Sequence, residues 1–211
     1  RKISLSISKN VINISMASTV FDDLLVKGVR QGHIPARTKD ARNWFRNKAQ
    51  NVGRTRVQPE DLLRENKKVD KVDVGHMYHF KYDPKGKKTL PYYDTFPLIF
   101  MVGAAEGGFY GINLHYLPPK LRAKLMDELY SLASNNRYDE KTKLMISYNL
   151  LKSASKMKYF KPTFKHYLAD HVKSKFIKVD SAEWDIALFL PTSRFKHATT
   201  QKVYSDSRKK F

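Results

Sequence analysis

HMYHFKYDPKGKKTLPYYDTFPLIFMVGAAEGGFYGINL, residues 76–114, reads as a succession of short strands joined by turns. Residues 76–82 alternate in the β-prone manner of a half-buried strand, and Asp83-Pro84-Lys85-Gly86 is turn chemistry. A rigid aromatic run, Pro91-Tyr92-Tyr93-Asp94-Thr95-Phe96-Pro97, leads into Leu98-Ile99-Phe100-Met101-Val102, which is apolar throughout and of strand length. Gly107-Gly108 then turns the chain into residues 109–114, the next strand of a meander. Bent strands with glycine at close approaches predict a small SH3-like barrel or meander, flanked by helices, in an α+β chain.

Working outward, Pro118-Pro119 opens an amphipathic helix with Leu121, Leu125, Leu129 and Leu132 on one stripe and Lys120, Arg122 and Lys124 off it. A second helix is expected over residues 139–155, with Leu144, Tyr148 and Leu151 inward. Its Lys141, Lys152 and Lys156 fall within about 60° of one another, and Lys143 lies apart. Residues 163–168 read as helical after Pro162, 176–179 as a strand, and 181–185 as the capped start of a short helix closed by Pro191. Upstream, residues 38–49 form a helix that Thr38 or Asp40 caps and Gly53 ends, and 57–74 is a linker with a short helical turn after Pro59.

The N-terminal fifteen residues have a basic start but neither an apolar core nor a small-residue cleavage site, which argues against a secretory signal. Met16 precedes a helix start at Val20, Phe21, Leu24 and Leu25 with Asp22 and Asp23 in its first turn, so Met16 reads as the natural initiator and 1–15 as a non-native or disordered leader. The rest divides into 16–70, a basic helical arm and linker; 71–134, a central β-rich unit plus helix; and 135–211, a basic helical region packed on the centre.

The chain of 211 residues carries 40 Lys and Arg against 20 Asp and Glu, a net charge of +20, which points to a polyanionic partner. The charge is uneven. Residues 1–70 hold 15 basic and 7 acidic side chains, 71–134 hold 8 and 6, and 135–211 hold 17 and 7, so the centre is nearly neutral and the flanks are basic. There is no cysteine, which excludes disulfides, thiolate nucleophiles and Cys-ligated metals, and no apolar run reaches the ~20 residues of a membrane span.

Two segments suit nucleic acid. Arg42 and Arg46 share a helix face beside Trp44, Phe45 and Lys48, with Arg54 and Arg56 following. Residues 156–178 interleave Lys156, Lys158, Lys161, Lys165, Lys173, Lys175 and Lys178 with Tyr159, Phe160, Phe164, Tyr167 and Phe176. The DNA-binding set is therefore Arg42, Arg46, Lys48, Arg54, Arg56, Lys152, Lys156, Lys158, Lys161, Lys165, Lys173, Lys175, Arg208 and Lys209, with Trp44, Tyr159 and Phe160 as stacking platforms. The competing reading puts the aromatics in the core and the charges on solvated faces. Lysine outnumbers arginine here, so weak sequence preference and steep salt dependence are expected.

No catalytic or metal site and no cofactor are expected. His76 and His79, three apart in a strand, point to opposite faces, and His115 has no partner visible in the sequence. Asp180, Glu183 and Asp185 read as caps and salt-bridge partners rather than as a Mg²⁺ site. Phosphate-loop, dinucleotide and nucleophile-elbow motifs do not occur.

Residues 82–102 (YDPKGKKTLPYYDTFPLIFMV), 108–129 (GFYGINLHYLPPKLRAKLMDEL) and 181–191 (SAEWDIALFLP), with Trp44-Phe45-Arg46, resemble the DNA end protector proteins of large contractile-tailed bacteriophages. The likeness spans about residues 41–210. It implies a head-completion protein that binds the end of the packaged genome and shields it from host exonucleases. Its partners would be DNA and head or neck proteins, and its location the virion and the host cytoplasm, with no membrane. A structural neck, tail or baseplate component gripping DNA or acidic subunits fits the same charge pattern. A nuclease, needing a base near Tyr92, Asp94 or His115, fits least.

Overall fold

The apolar run at 98–102 and the strand after Gly107-Gly108 form the hairpin on which the rest of the sheet is built. The computed structural model describes residues 19–33, 38–133 and 161–209, with single positions between 137 and 153. The hairpin is β4 (Leu98–Ala105) and β5 (Gly108–Asn113), with a bulge between Met101 and Gly103. Around it are β1 (Lys68–Val69), β2 (Met77–His79), β6 (Phe164–Leu168) and β7 (Phe176–Val179), in the order β1-β7-β2-β4-β5-β6 with antiparallel pairing. A separate two-stranded ladder pairs β3 (Tyr93–Asp94) with β8 (Phe195–Lys196).

This is an α+β fold, but the six-stranded sheet is open. The expected SH3-like barrel is not what forms: among the described residues the edge strands β1 and β6 do not pair with each other, and the sheet's own aromatic side chains fill its second face. One face, with Leu98, Phe100 and Ile112, packs under helices. The other buries Tyr78, Phe80, Ile99, Met101, Phe109, Tyr167 and Phe176 in a mostly aromatic cluster.

Six α-helices are seen among the described residues: α1 (Val20–Arg30), α2 (Lys39–Gln50), α3 (Pro59–Glu65), α4 (Pro119–Ala133), α5 (Trp184–Phe189) and α6 (Thr200–Lys209). Thr19 and Asp22 form a capping box on α1, and Thr38 caps α2 by accepting from the Ala41 amide at 3.1 Å. Helix α2 ends at Asn51 rather than at Gly53. Gly28 lets α1 settle on α2, since a Cβ there would lie 2.3 Å from Cζ of Phe45. Asp180 and Glu183 form the capping box ahead of α5, all of whose residues from Asp185 to Phe189 are buried.

Three further expectations are corrected. Residues 163–168 are not helical: β6 pairs with β5 from Gly108↔Leu168 to Ile112↔Phe164, which puts β-prone Phe164 on the exposed face and β-prone Tyr167 on the buried one. The 57–74 linker is structural, since Val57 and Leu62 are fully buried and Lys68–Val69 join the sheet edge. Arg122, placed off the α4 stripe, is 5% exposed, because its donors are taken by the carbonyls of Leu117, Leu188 and His115 and by the Tyr204 hydroxyl. The main core cluster unites Phe21 and Phe45 with Leu98, Ile112, Leu125 and Leu188, so the basic flanks are continuous with the centre in packing. The expected helix over 139–155 and the leader 1–15 lie outside the described residues, the isolated positions apart.

Candidate nucleic-acid interface

The β3–β8 ladder brings Arg194, Phe195 and Lys196 beside the short turn at Arg54–Arg56 and the start of α3. Two adjoining hollows of about 480 and 680 Å³ result, sharing Gln58, Arg194 and Phe195 and so forming one groove. Arg54, Lys81, Lys173, Arg194 and Lys196 line it, against the carboxylates Glu60 and Asp83. Both carboxylates are engaged locally: Glu60 accepts from Lys81, and Asp83 accepts from Lys87 at 2.9 Å. Each is held below its ordinary pKa, first of all by that lysine hydrogen bond.

Arg194 is fixed in the groove wall by donating to the carbonyls of Val57 (2.6 Å), Pro191 (2.9 Å) and Ser193 (3.0 Å). Burial, and after it the like charge of Arg54, lowers its pKa. Positive charge gathered in this way favours an anion. The loop after β6 supplies Lys173 and is pinned by Lys173 N donating to Lys81 O (2.8 Å) and Lys81 N donating to Ser174 Oγ (2.8 Å).

The expected contact residues are dispersed. Arg54 and Lys173, more than a hundred residues apart in sequence, line the two adjoining hollows of the groove. Arg56 and Lys161 are exposed elsewhere, and Lys175 is exposed beyond the loop, 3.0 Å from Asp70. Lys165 sits over the Tyr116 ring at 4.1 Å. Arg42 and Arg46 do share a face, but it is turned inward. Arg46 is 8% exposed, 3.3 Å from Asp185 and 3.0 Å from Asp127, so it joins α2 to α5 and α4 and is not displayed to a ligand. Arg42 lies 3.6 Å from the same Asp127. Burial pushes the Asp185 carboxyl up to about 6, opposed by Arg46.

Lys48 lies over Trp44 at 5.7 Å, while His33 stacks on that ring at 5.2 Å and Phe45 meets it edge-on, so Trp44 is engaged within the protein. Arg208 and Lys209 end α6, with side chains outside the described part. Lys152, Lys156, Lys158, Tyr159 and Phe160 lie outside the described residues. Lys81, Arg194 and Lys196 were not anticipated. The pairing that positions the last two joins Tyr93 to Lys196, and nothing local signals it.

His115 does have a partner. Its Nδ1 lies 2.6 Å from Asp94 Oδ2 and its Nε2 3.0 Å from Thr192 Oγ1, the order of an acid, a base and a hydroxyl. All three are buried: His115 and Thr192 have no exposure and Asp94 4%, so no substrate reaches them and the arrangement serves the scaffold. Asp94 also accepts from the amides of Phe96 and Arg194 and from Asn113 Nδ2, tying the β3–β8 ladder to β5. Burial alone would raise its carboxyl, but His115 and the two amides bring it below the ordinary value. Burial lowers the His115 pKa, so a neutral ring donates to Asp94 and accepts from Thr192. His79, stacked on Phe96 at 4.8 Å, donates from Nδ1 to Pro97 O at 3.2 Å, and burial pulls it down to about 3.

Asp180, Glu183 and Asp185 divide between the cap of α5 and the ion pair with Arg46. Among the described residues, no group of three or more His, Asp or Glu is placed to hold a metal, and no helix is long and apolar enough to cross a membrane.

Fold and site together define a basic α+β protein with an open cationic groove, suited to an extended polyanion. The family model described as the Phage T4 terminal DNA protecting protein matches residues 12–209, and the chain belongs to that family. Comparison with curated proteins and with solved structures gave no match.

Proposed function

We propose that this protein binds the end of a packaged phage genome through the DNA backbone, without reading sequence, and blocks exonuclease access without catalysing a reaction itself. The observation that carries the reading is the groove in which Arg54, Lys81, Lys173, Arg194 and Lys196 converge in a member of a terminal DNA protecting family. Three of these cations are lysines, point charges that suit phosphate better than base edges. A cap needs affinity and no turnover, and the burial of Asp94, His115 and Thr192 is in keeping with that. Residence in the virion and contacts with head or neck proteins belong to the same reading.

Each phosphate neutralised contributes about 0.9 to the slope of log K against log salt. Replacing the exposed Arg54, Lys173 and Lys196 together by Ala is therefore expected to lower the slope by about 3, measured on a linear duplex between low and moderate salt. An unchanged slope removes the groove from the interface. Arg46→Ala, by contrast, should cost stability and leave the slope unchanged. A wild-type protein that binds linear and closed circular DNA equally and gives no protection would instead be a structural component of the virion.

A further inference from the structure

The aromatic face of the sheet carries a second cavity, of about 740 Å³, separate from the groove and within the ~300–1,000 Å³ typical of ligand sites. Met101, Phe109 and Phe176, each less than a tenth exposed, belong to its lining, as do the partly buried Val72 and Val172. Lys71 and Lys175 are its exposed cations. The loop of residues 172–175 stands between cavity and groove: Lys173 lines the groove, whereas Val172, Ser174 and Lys175 line the cavity. That wall is fixed by the loop's two hydrogen bonds to Lys81 and by the bridge between Tyr82 and Val172.

We propose that this cavity receives the unpaired terminal nucleotide of a DNA end whose backbone lies in the groove, an inference that rests on the end-binding reading. A base leaving the stack needs an apolar and aromatic seat, and its phosphate needs cations nearby. Both are present, one charged residue away from the groove. Among the described residues, the polar side chains of the lining are Asp70, Lys71, Ser174 and Lys175. The Ser174 hydroxyl is already engaged, accepting from the Lys81 amide and donating to Lys175 O at 2.8 Å. The apolar part of the lining, Val72, Met101, Phe109, Val172 and Phe176, reads no base edge, so the seat discriminates weakly among bases, as protection of an arbitrary terminus requires. The Asp70–Lys175 ion pair, at 3.0 Å, is solvent-exposed on both sides and holds its lysine weakly enough for a phosphate to take it.

Ala104 is exposed, lines the cavity and stands opposite Phe109, so Ala104→Trp fills the seat without touching the groove. The probes are a blunt linear duplex, the same duplex with one unpaired terminal nucleotide, and a closed circle. The wild-type protein is expected to bind the unpaired end roughly tenfold more tightly than the blunt one, the scale of one base on an aromatic seat. Ala104→Trp should bind both ends equally and keep wild-type affinity for the circle. Should that variant fail to fold by circular dichroism, Lys71→Gln with Lys175→Gln carries the same test with the same expected loss of preference. Equal binding of the two ends by a wild-type protein that still prefers ends to the circle overturns the seat alone, as does a preference that survives in the folded variant. Absence of any preference for ends over the circle overturns the end-binding reading and the seat with it.

Discussion

Asp94→Ala is expected to destabilise the protein by about 3–5 kcal/mol, the range for breaking a buried charged network by removing one partner. The carboxylate is the acceptor for His115 Nδ1, Asn113 Nδ2 and the amides of Phe96 and Arg194, and alanine strands His115 Nδ1 and both amides in a site without water access, Asn113 Nδ2 keeping the Tyr167 hydroxyl. Asp94→Asn should cost less, about 1–3 kcal/mol. Its carbonyl oxygen still serves the two amides, and a tautomer change at His115 lets the new NH₂ donate to Nδ1. Urea unfolding of both variants gives the ranking; equal, small losses would show that the network is dispensable. The same residue bridges structure to site, because the amide it holds belongs to Arg194. A folded Asp94 variant should therefore also bind DNA less tightly, the cations of the groove being less firmly placed.

The second large effect is on stability against pH. His79 is fully buried and its pKa is pulled down to about 3, while in the unfolded chain it titrates near 6.5. Between those values the unfolded state binds a proton that the folded state refuses, so stability is retained above about pH 6.5 and lost as pH falls towards 3. By pH 4.5 the loss from this one side chain is on the order of 3 kcal/mol. Asp94 and Arg194 are the charged groups that bear on it, along with His115, which burial shifts in the same direction. Glu183, raised to about 7, and Asp185, raised to about 6, both by burial, act with the opposite sign: their stabilisation is present at low pH and lost as pH rises through those values. The difference between wild type and His79→Phe cancels these contributions. Phenylalanine retains the stack on Phe96, so the variant should be close to wild type at pH 7 and clearly the more stable near pH 4.5. Parallel stability curves for the two would show that His79 does not control the acid limb.

The hairpin of β4 and β5 was legible because its signals are local: an unbroken apolar run, a Gly-Gly turn and an alternating partner strand. The open sheet was not, because β6 at one edge and β7 between β1 and β2 come from residues 164–179, far along the chain, and only tertiary pairing distinguishes Phe164–Leu168 from a helical turn. Helix α2 shows the limit of periodicity. Spacing put Arg42 and Arg46 on one face but does not say whether that face meets solvent, and the acceptors that draw Arg46 inward lie 81 and 139 residues away in sequence. The groove was half legible. Arg54 and Lys173 were marked by local basic composition, whereas Arg194 and Lys196 depend on a ladder closed across about a hundred residues.

The proposed function is that cations between residues 54 and 196 hold a DNA terminus in one groove and exclude nucleases from it. Its most direct test is the survival of a linear duplex challenged with a processive exonuclease after incubation with wild-type protein or with the Arg54, Lys173 and Lys196 triple alanine variant. The account predicts that the wild-type protein leaves the duplex full length while the folded triple variant lets digestion proceed at close to the unprotected rate. Digestion at the unprotected rate with saturating wild-type protein, or full protection by the triple variant, would contradict it.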